Sequence, residues 1–292
     1  MDQAEQLRNM IKQRQQTAPQ AQVFTVTSGK GGVGKSNTVV NLAVQMQRLG
    51  KKVLIFDADF GLANVEIMFG AIPKYNLSDL IYRGKPIQEI ITPGPFGVGF
   101  ISGGSGIAGV NNLSREQLKF LVQNLSELDA LADVIIIDTG AGISDSVLEF
   151  VLASPEVLLV VTPDPSSLTD AYSLLKTLDR NLEFRETHSK VKVIVNRAMS
   201  GTEGRGIFEK LNTVVKKFLD GELEYVGVVP QDISLEKAVR QQKPVSILYP
   251  EAKSAKAFGA IARRLMGGEP SSVPGRKGIL QMLSRFIYQR DL

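Results

Sequence analysis

Short apolar runs rich in β-branched residues recur along most of the chain, and helical patterns lie between most of them. The first run, VFTVTS at 23–28, is continuous rather than alternating, which is typical of a strand covered on both faces of a parallel sheet. A helix is predicted from 35 to 49, with Gly50 as its C-cap. This alternation predicts an α/β fold, a three-layer domain with a mainly parallel sheet. Further strands are predicted at 53–57, 98–102, 134–138, 157–161, 191–195 and 225–229.

The two ends of the chain depart from this alternation. Residues 1–22 are polar and rich in glutamine, and GGEPSSVPG at 267–275 has no periodicity, which is typical of a flexible linker. Helical patterns precede and follow that linker. The sequence therefore predicts four parts, namely an N-terminal segment at 1–22, an α/β domain at 23–266, a linker at 267–275 and a C-terminal helix at 276–292.

The absence of cysteine and the presence of one histidine, His188, remove several kinds of chemistry. Disulfides, cysteine nucleophiles, iron–sulfur clusters and thiolate zinc sites need cysteine, and a His-rich metal site needs more than one histidine. Hydrophobic residues make up 43% and charged residues 22%, which is ordinary for a soluble globular protein. No apolar run reaches the ~18 residues of a transmembrane helix, and the first residues lack the apolar core of a secretory signal. The expected compartment is the cytoplasm.

The formal net charge of +4 is concentrated at the C-terminal end. Residues 262–292 contain six basic and two acidic side chains, whereas basic and acidic residues balance over the rest of the chain. Charge confined to a tail predicts an interaction with an anionic partner rather than a basic domain surface.

Phosphate binding is predicted for GKGGVGKS, which begins at Gly29 and ends at Ser36. The segment fits G-x-x-x-x-G-K-[ST] and lies between a predicted strand and a predicted helix, the context that a P-loop requires. Its backbone N–H groups and the helix N-terminus would cradle phosphate oxygens, Lys35 would reach the β- and γ-phosphates, and Ser36 would ligate Mg²⁺. The predicted nucleotide-binding residues are Gly29, Lys30, Gly31, Gly32, Val33, Gly34, Lys35, Ser36 and Asn37.

The same loop carries a second lysine, Lys30, directly after its first glycine. With this lysine, KGGVGKS resembles the deviant Walker A motif of the MinD/ParA family of ATPases. In that family the signature lysine reaches across an ATP-dependent homodimer to the partner's nucleotide. The resemblance covers nearly the whole chain, and it implies this role for Lys30, a MinD-like P-loop NTPase fold and Mg²⁺-dependent hydrolysis of ATP to ADP at a slow intrinsic rate.

Two segments with aspartates at strand ends extend the resemblance. FDADFGLANVE resembles the switch I segment of the family, which implies that Asp59 polarises the attacking water and that Asp57 supports the metal ion. VIIIDTGAG resembles Walker B followed by switch II, which implies that Asp138 holds Mg²⁺ together with Ser36. The family often has a proline shortly after this aspartate, and its absence here leaves the geometry of the switch open.

The base of the nucleotide is expected near two later strand ends. VIVNR resembles the family position at which an asparagine, here Asn196, reads adenine, since an amide offers a donor and an acceptor. VVPQD resembles the second loop on the adenine side, which implies that Pro230 packs on the base. The guanine-reading Asn/Thr-Lys-x-Asp pattern is absent, so ATP is expected rather than GTP.

The C-terminal segment RKGILQMLSRFIYQR at 276–290 places apolar residues on one helical face among basic residues. This pattern is typical of an interfacial membrane helix on anionic lipid, and it resembles the membrane-targeting sequence that ends MinD proteins. Two copies in a dimer would bind far better than one. Docking on the chain's own domain is the alternative, and both hold if docking in the monomer gives way to release on dimerisation. The predicted membrane-contacting residues are Ile279, Leu280, Leu283, Phe286 and Ile287.

The N-terminal segment points to a subgroup of the family. DQAEQLR at 2–8 resembles the motif that begins FlhG-type proteins, also called YlxH or FleN, which are MinD-like ATPases that control flagellar number and placement. In that group the segment stimulates the GTPase of FlhF, an SRP-type protein. The resemblance implies that Gln3 is the key residue and that Asp2, Leu7 and Arg8 support docking to this partner.

Two other functions stay open at this point. A division-site-placing MinD fits the core equally well, although MinD chains usually begin at the first strand. A ParA-type DNA-partition protein would need a basic DNA-binding surface, whereas the domain outside the tail is neutral, so no specific nucleic acid is expected. The main expectation is a flagellar regulator that is cytoplasmic and, as an ATP-bound homodimer, peripheral on the inner face of the cell membrane. Flagellar switch components or a transcription factor are possible further partners.

Overall fold

One eight-stranded sheet organises the computed structural model, which describes residues 20–60, 64–104, 113–181, 184–185, 190–219, 221–267, 278–279 and 282. The strand order is β3-β4-β2-β5-β1-β6-β7-β8, and all neighbouring strands run parallel except β3 and β4. The predicted fold class and all seven predicted strands are confirmed. The strands are β1 Gln22–Thr27, β2 Val53–Ala58, β3 Thr92–Pro93, β4 Gly99–Ile101, β5 Val134–Thr139, β6 Glu156–Val161, β7 Lys190–Ala198 and β8 Glu222–Pro230.

Helices cover both faces of this sheet. The first, α1, begins at Lys35 and ends at Arg48, close to its predicted bounds, and the chain then turns through Gly50 at a φ of 82°. The other helices are α2 Asn64–Phe69, α3 Leu77–Arg83, α4 Ile87–Ile90, α5 Arg115–Leu125, α6 Leu128–Leu131, α7 Asp145–Ala153, α8 Pro165–Asp179, α9 Gly201–Phe218, α10 Ile233–Arg240, α11 Val245–Leu248 and α12 Lys253–Gly267.

The strands bury both of their faces, which explains their continuous apolar sequence. In β6, Leu158 and Val160 pack with α1 and α12, whereas Leu159 and Val161 point to the opposite layer with α8 and α9. The two-residue strand β3 was not predicted, because Thr92 and Pro93 are too few to form a recognisable run and proline is confined to sheet edges. The result is a three-layer core whose strand carboxyl ends open at one edge of the sheet.

Buried amides fix the position of α1, the helix that follows the P-loop. The Asn41 side-chain NH₂ donates to the Asn37 side-chain oxygen at 2.8 Å, and the Asn41 oxygen accepts from the Ser246 backbone N–H at 2.9 Å. One turn later, Gln45 donates to the Ser246 hydroxyl and to the Ala255 carbonyl, both at 3.1 Å. Because buried amides are costly unless paired, this ladder gives α1 one position against α11 and α12.

Part of the predicted C-terminal helix lies against the domain. The backbone N–H of Gly278 donates to the Ala21 carbonyl at 3.1 Å, and that of Ile279 donates to the Asp129 carboxylate at 2.9 Å. Ile279 and Met282 are buried in the cluster that contains Leu128. Of the predicted membrane-contacting residues, Leu280, Leu283, Phe286 and Ile287 lie outside the described residues, as do the predicted partner-binding residues Asp2, Gln3, Leu7 and Arg8.

None of the helices that the structure describes has the length and apolarity needed to cross a bilayer.

Candidate nucleotide-binding site

The predicted P-loop connects β1 to α1 at the carboxyl edge of the sheet. Gly32 and Gly34 have φ values of 76° and 92°, a region that residues with a Cβ rarely adopt. At Gly34 a Cβ would also lie 2.4 Å from Nδ2 of Asn196, so glycine is required there twice over. The predicted residues Gly29–Asn37 therefore form one turn that closes on the first turn of α1, where Lys35 and Ser36 are buried.

A buried carboxylate faces this turn from β5. Strands β2 and β5 pair in a register that sets Asp57 beside Asp138. Asp138 is fully buried, and its Oδ1 lies 3.6 Å from Nζ of Lys35. Neither carboxylate oxygen accepts a hydrogen bond by geometry from the residues that the structure describes. Burial raises the pKa of Asp138, while the Lys35 charge and then the nearby Ser36 hydroxyl oppose that rise.

These buried oxygens, which lie beside the Lys35 ammonium but accept no hydrogen bond by geometry, fit a divalent cation. An orphaned carboxylate is costly unless a cation or donor compensates it, and Asp138 stands beside the Ser36 hydroxyl at the P-loop. Within the described residues, no group of three or more acidic or histidine side chains is arranged to hold a metal alone. Mg²⁺ binds through one or two protein ligands and completes its shell with water and substrate phosphates. Ser36 and Asp138 therefore match the predicted magnesium site.

Both carboxylate oxygens of Asp57 accept hydrogen bonds from backbone N–H groups. Its Oδ1 accepts from the N–H of Asp59 at 3.1 Å, and its Oδ2 accepts from the N–H of Val65 at 3.2 Å. Burial, followed by the charge of Asp138, raises the pKa of Asp57 well above its usual value. The structure thus shows Asp57 bonded to the backbone after β2, and its predicted support of the metal stays a prediction.

Asp59 stands at the opening of the site. Its Oδ2 accepts a hydrogen bond from the Asn64 side chain at 3.1 Å, and its Oδ1 would lie 3.8 Å from a Cβ placed on Gly140. Asp59 therefore approaches the loop that follows β5, and both line the same cavity. This position leaves Asp59 Oδ1 available to a polar group inside the cavity.

Lys30 points away from the phosphate cradle of its own chain. Its Nζ donates to Asp164 Oδ2 at 3.0 Å and also to the Ser166 hydroxyl. Asp164 is the N-cap of α8, and its side chain accepts from the Ser166 N–H at 3.1 Å. The hydrogen bond from Lys30 is the main reason that the pKa of Asp164 is lowered. Because Lys30 keeps 39% of its side chain exposed, it can exchange this partner for another.

Asn196 has a structural task that the sequence did not reveal. Its Nδ2 donates to the Val33 carbonyl at 2.8 Å, and its Oδ1 accepts from the Arg197 N–H at 3.0 Å. The amide therefore fastens the end of β7 to the P-loop, with one proton and one lone pair left for a base. Pro230 ends β8 and lines the same cavity.

One cavity of about 1020 Å³ is lined by Lys35, Ser36, Asp59, Asn196 and Pro230. Its lining includes residues that sequence motifs did not single out, because they come from separate elements. Asp232 follows Pro230 by two residues and accepts hydrogen bonds from Ser234 at 2.8 Å and from the Ser254 hydroxyl at 2.8 Å. Further lining residues that were not predicted are Phe60, Asn64, Met68, Ala141, Ser144, Arg197, Leu235, Glu236, Val239 and Arg240.

Comparisons with known proteins agree with this geometry. A family model for the CobQ/CobB/MinD/ParA nucleotide binding domain matches residues 24–245. The chain is 44% identical over 244 residues to the antiactivator FleN of Pseudomonas aeruginosa. The matched region covers 84% of this chain and 86% of that protein. It is 36% identical over 245 residues to the flagellum site-determining protein YlxH of Helicobacter pylori. This match covers 83% of this chain and 81% of that protein.

A solved structure supports the same grouping. A chain of the MinC:MinD cell division protein complex of Aquifex aeolicus matches with a TM-score of 0.69 and 27% identity. The match covers 85% of this chain and 97% of that chain, so the two folds correspond nearly from end to end.

Proposed function

The chain belongs to the CobQ/CobB/MinD/ParA nucleotide-binding family, and on that premise we propose that it is an ATP-hydrolysing switch that regulates flagellar number or placement. The observation that carries the ATP chemistry is the buried carboxylate of Asp138, which accepts no hydrogen bond by geometry and lies beside Lys35 and Ser36. The flagellar role rests on the similarity to FleN and YlxH, which exceeds the identity to the MinD chain matched by structure.

Each part of the site has a task in this proposal. The backbone of Gly31–Ser36 and the Lys35 ammonium would bind the phosphates, and Ser36 and Asp138 would hold Mg²⁺. When bound, the metal ion would supply positive charge against the phosphate oxygens. Asp59 accepts a hydrogen bond from the attacking water and orients it. On the base side, the free proton and lone pair of Asn196 meet the adenine edge, and Pro230 packs on its face.

Lys30 connects hydrolysis to dimerisation. In the single chain its ammonium is held by Asp164 and Ser166, outside its own phosphate cradle. We propose that it leaves these partners to contact the nucleotide of a second copy. An exposed ion pair contributes little stability, so breaking it costs little free energy.

Membrane binding follows from dimerisation. Ile279 is buried here, and a membrane-inserted helix needs this side chain outside the domain. The proposal therefore requires Ile279 and Met282 to leave their cluster. Two released helices on one dimer bind a bilayer more tightly than one by about 10²- to 10⁴-fold.

Sedimentation with vesicles tests this coupling. Wild-type protein is expected to dimerise and to pellet with anionic liposomes in ATP and Mg²⁺, but not in ADP. Asp59→Ala should stay bound with ATP because hydrolysis no longer resets it. Lys30→Ala should remain a monomer in the supernatant with either nucleotide. Absence of both a dimer and lipid binding for Asp59→Ala with ATP would contradict the proposed coupling of ATP binding to dimerisation and membrane binding.

ATP-dependent binding to nonspecific DNA at physiological salt would favour the DNA-partition function instead.

The N-terminal segment separates the flagellar function from division-site placement. We propose that the polar segment that contains Gln3 completes the GTPase site of an SRP-type partner of the FlhF kind. A peptide of residues 1–22 is expected to raise the partner's GTP hydrolysis by about tenfold or more, since groups supplied in trans have large effects on such sites. The same peptide with Gln3→Ala is the matched control. A peptide that gives no stimulation favours the division-site function.

A further inference from the structure

The end of β7 contains a backbone irregularity beside the cavity. Asn196 pairs with Val229 and Ala198 pairs with Pro230, so Arg197 is an extra residue in a β-bulge. Bulges next to functional sites redirect a side chain. Arg197 is accordingly exposed, while its neighbours Asn196 and Ala198 are buried.

Arg197 also occupies a strained conformation. Its φ is 60°, in the left-handed region that a residue with a long side chain enters at an energetic cost. Among the described residues, Phe96 and Gln242 are the other non-glycine residues with positive φ, and neither of them lines the cavity. Strain of this kind at a site is a reason to look for a function.

The guanidinium of Arg197 has no acidic partner in the part of the chain that the structure describes, where the ion pairs involve other residues. Asp232, an acid that lines the same cavity, accepts hydrogen bonds from the backbone N–H groups of Ser234 and Ser254 and from the Ser254 hydroxyl. Arg197 therefore offers an unpaired planar cation to whatever fills this end of the cavity.

The surroundings indicate what that ligand group is. P-loop residues, among them Gly31 and Ser36, line one part of the cavity, and Pro230 pairs with the residue after Arg197. Leu235 and Val239 from the following helix also line the cavity, and these apolar side chains suit a base. A guanidinium packs on a π-face through cation–π attraction and stacking. Asn196 cannot supply this contact, because its amide is tied to the P-loop.

We infer that Arg197 is an affinity- and specificity-determining residue that packs its guanidinium on the purine of the bound nucleotide. The inference rests on the nucleotide-binding function proposed above. The bulge and the positive φ serve to present this side chain to the base. Since a purine has a larger π-face than a pyrimidine, Arg197 favours adenine over cytosine or uracil.

Glycine at this position separates the side chain from the backbone. Arg197→Gly removes the guanidinium and also the strain, because glycine adopts a positive φ without steric cost. Arg197→Ala removes the guanidinium but keeps the strain of the positive φ. Binding of ADP and CDP to the full chain is measured by calorimetry, and unfolding is followed by circular dichroism. Arg197→Gly is expected to raise the Kd for ADP about 2- to 30-fold, to raise that for CDP less and to unfold at no lower temperature than the wild type. Arg197→Ala should weaken ADP binding as much as Arg197→Gly does, and it should unfold at a lower temperature than Arg197→Gly.

The possible results distinguish this inference from the function on which it depends. An unchanged Kd for ADP in Arg197→Gly would overturn the inference and leave the nucleotide-binding function standing. Equal weakening for ADP and CDP would overturn the specificity role. Failure of the wild-type chain to bind ADP would overturn both.

Discussion

Asp59→Asn is expected to lower kcat for ATP hydrolysis by about 10²- to 10⁴-fold, the range for a group that assists proton transfer. Asparagine has the shape of aspartate, and its oxygen can still accept the hydrogen bond that Asn64 donates to Asp59 at 3.1 Å. It lacks the charge that orients and polarises the attacking water. The fold and ATP binding should therefore persist, which single-turnover hydrolysis and equilibrium binding of ATP measure separately.

Asp57→Asn is the matched control for this change. Asp57 lies two residues away, but its oxygens accept from the Asp59 and Val65 N–H groups, and its pKa is raised well above the usual value by burial and by Asp138. Asparagine at this buried position removes an unfavourable charge but can accept only one of the two N–H groups. Since neither oxygen of Asp57 is assigned to the attacking water, hydrolysis should fall less than in Asp59→Asn. A normal kcat in Asp59→Asn, or equal losses in the two variants, would contradict the role assigned to Asp59.

Features carried by contiguous residues could be predicted from the sequence. The buried strands are apolar runs, and the P-loop is a motif within eight residues, so both β1 and the turn at Gly34 were predicted correctly. Asp138 follows from the same logic, since its strand is a run of four apolar residues that ends at the phosphate site. Membership of the MinD/ParA family and of its FleN/YlxH branch was also predicted from such segments and is confirmed.

Contacts between distant segments could not be predicted in this way. Lys30 meets Asp164 across 134 residues, and Asn196 meets Val33 across 163 residues, with no motif to mark either pair. The positive φ of Arg197 depends on a bulge in the pairing of β7 with β8, which a single strand does not encode. Burial of Ile279 likewise requires the cluster that contains Leu128. An amphipathic pattern alone therefore could not decide whether this side chain contacts lipid or the domain.

These distant contacts share a physical property that matters for a switch. Asp59, Lys30 and Ile279 are each held in the single chain by contacts that a second molecule or a ligand can replace. The sheet and α1, in contrast, are fixed by buried apolar layers and paired amides. In the proposed function, a rigid P-loop with replaceable contacts around it would allow nucleotide state to change the surface without disturbing the core.

Lys35→Met is expected to weaken binding of ATP and ADP by about 30- to 5,000-fold, because truncating one partner of a buried charge pair costs 2–5 kcal/mol. Lys35 is buried at the P-loop with its Nζ 3.6 Å from Asp138, so methionine fills its volume but supplies no charge to phosphate. Asp138 also loses the cation that opposes the rise in its pKa. Calorimetric titration with ADP measures the loss without interference from hydrolysis or dimerisation.

Lys30→Met provides the matched control, since this lysine belongs to the same loop but contacts Asp164 and Ser166. ADP binding to the monomer should stay within about fivefold of wild type, because an exposed pair contributes at most about 1 kcal/mol. ATP-dependent dimerisation, measured by light scattering, should be lost. The two lysines therefore separate binding within one chain from contact between two chains. Equal losses of ADP affinity in both variants would show that Lys30 acts in its own phosphate site, which contradicts the proposed role across the dimer.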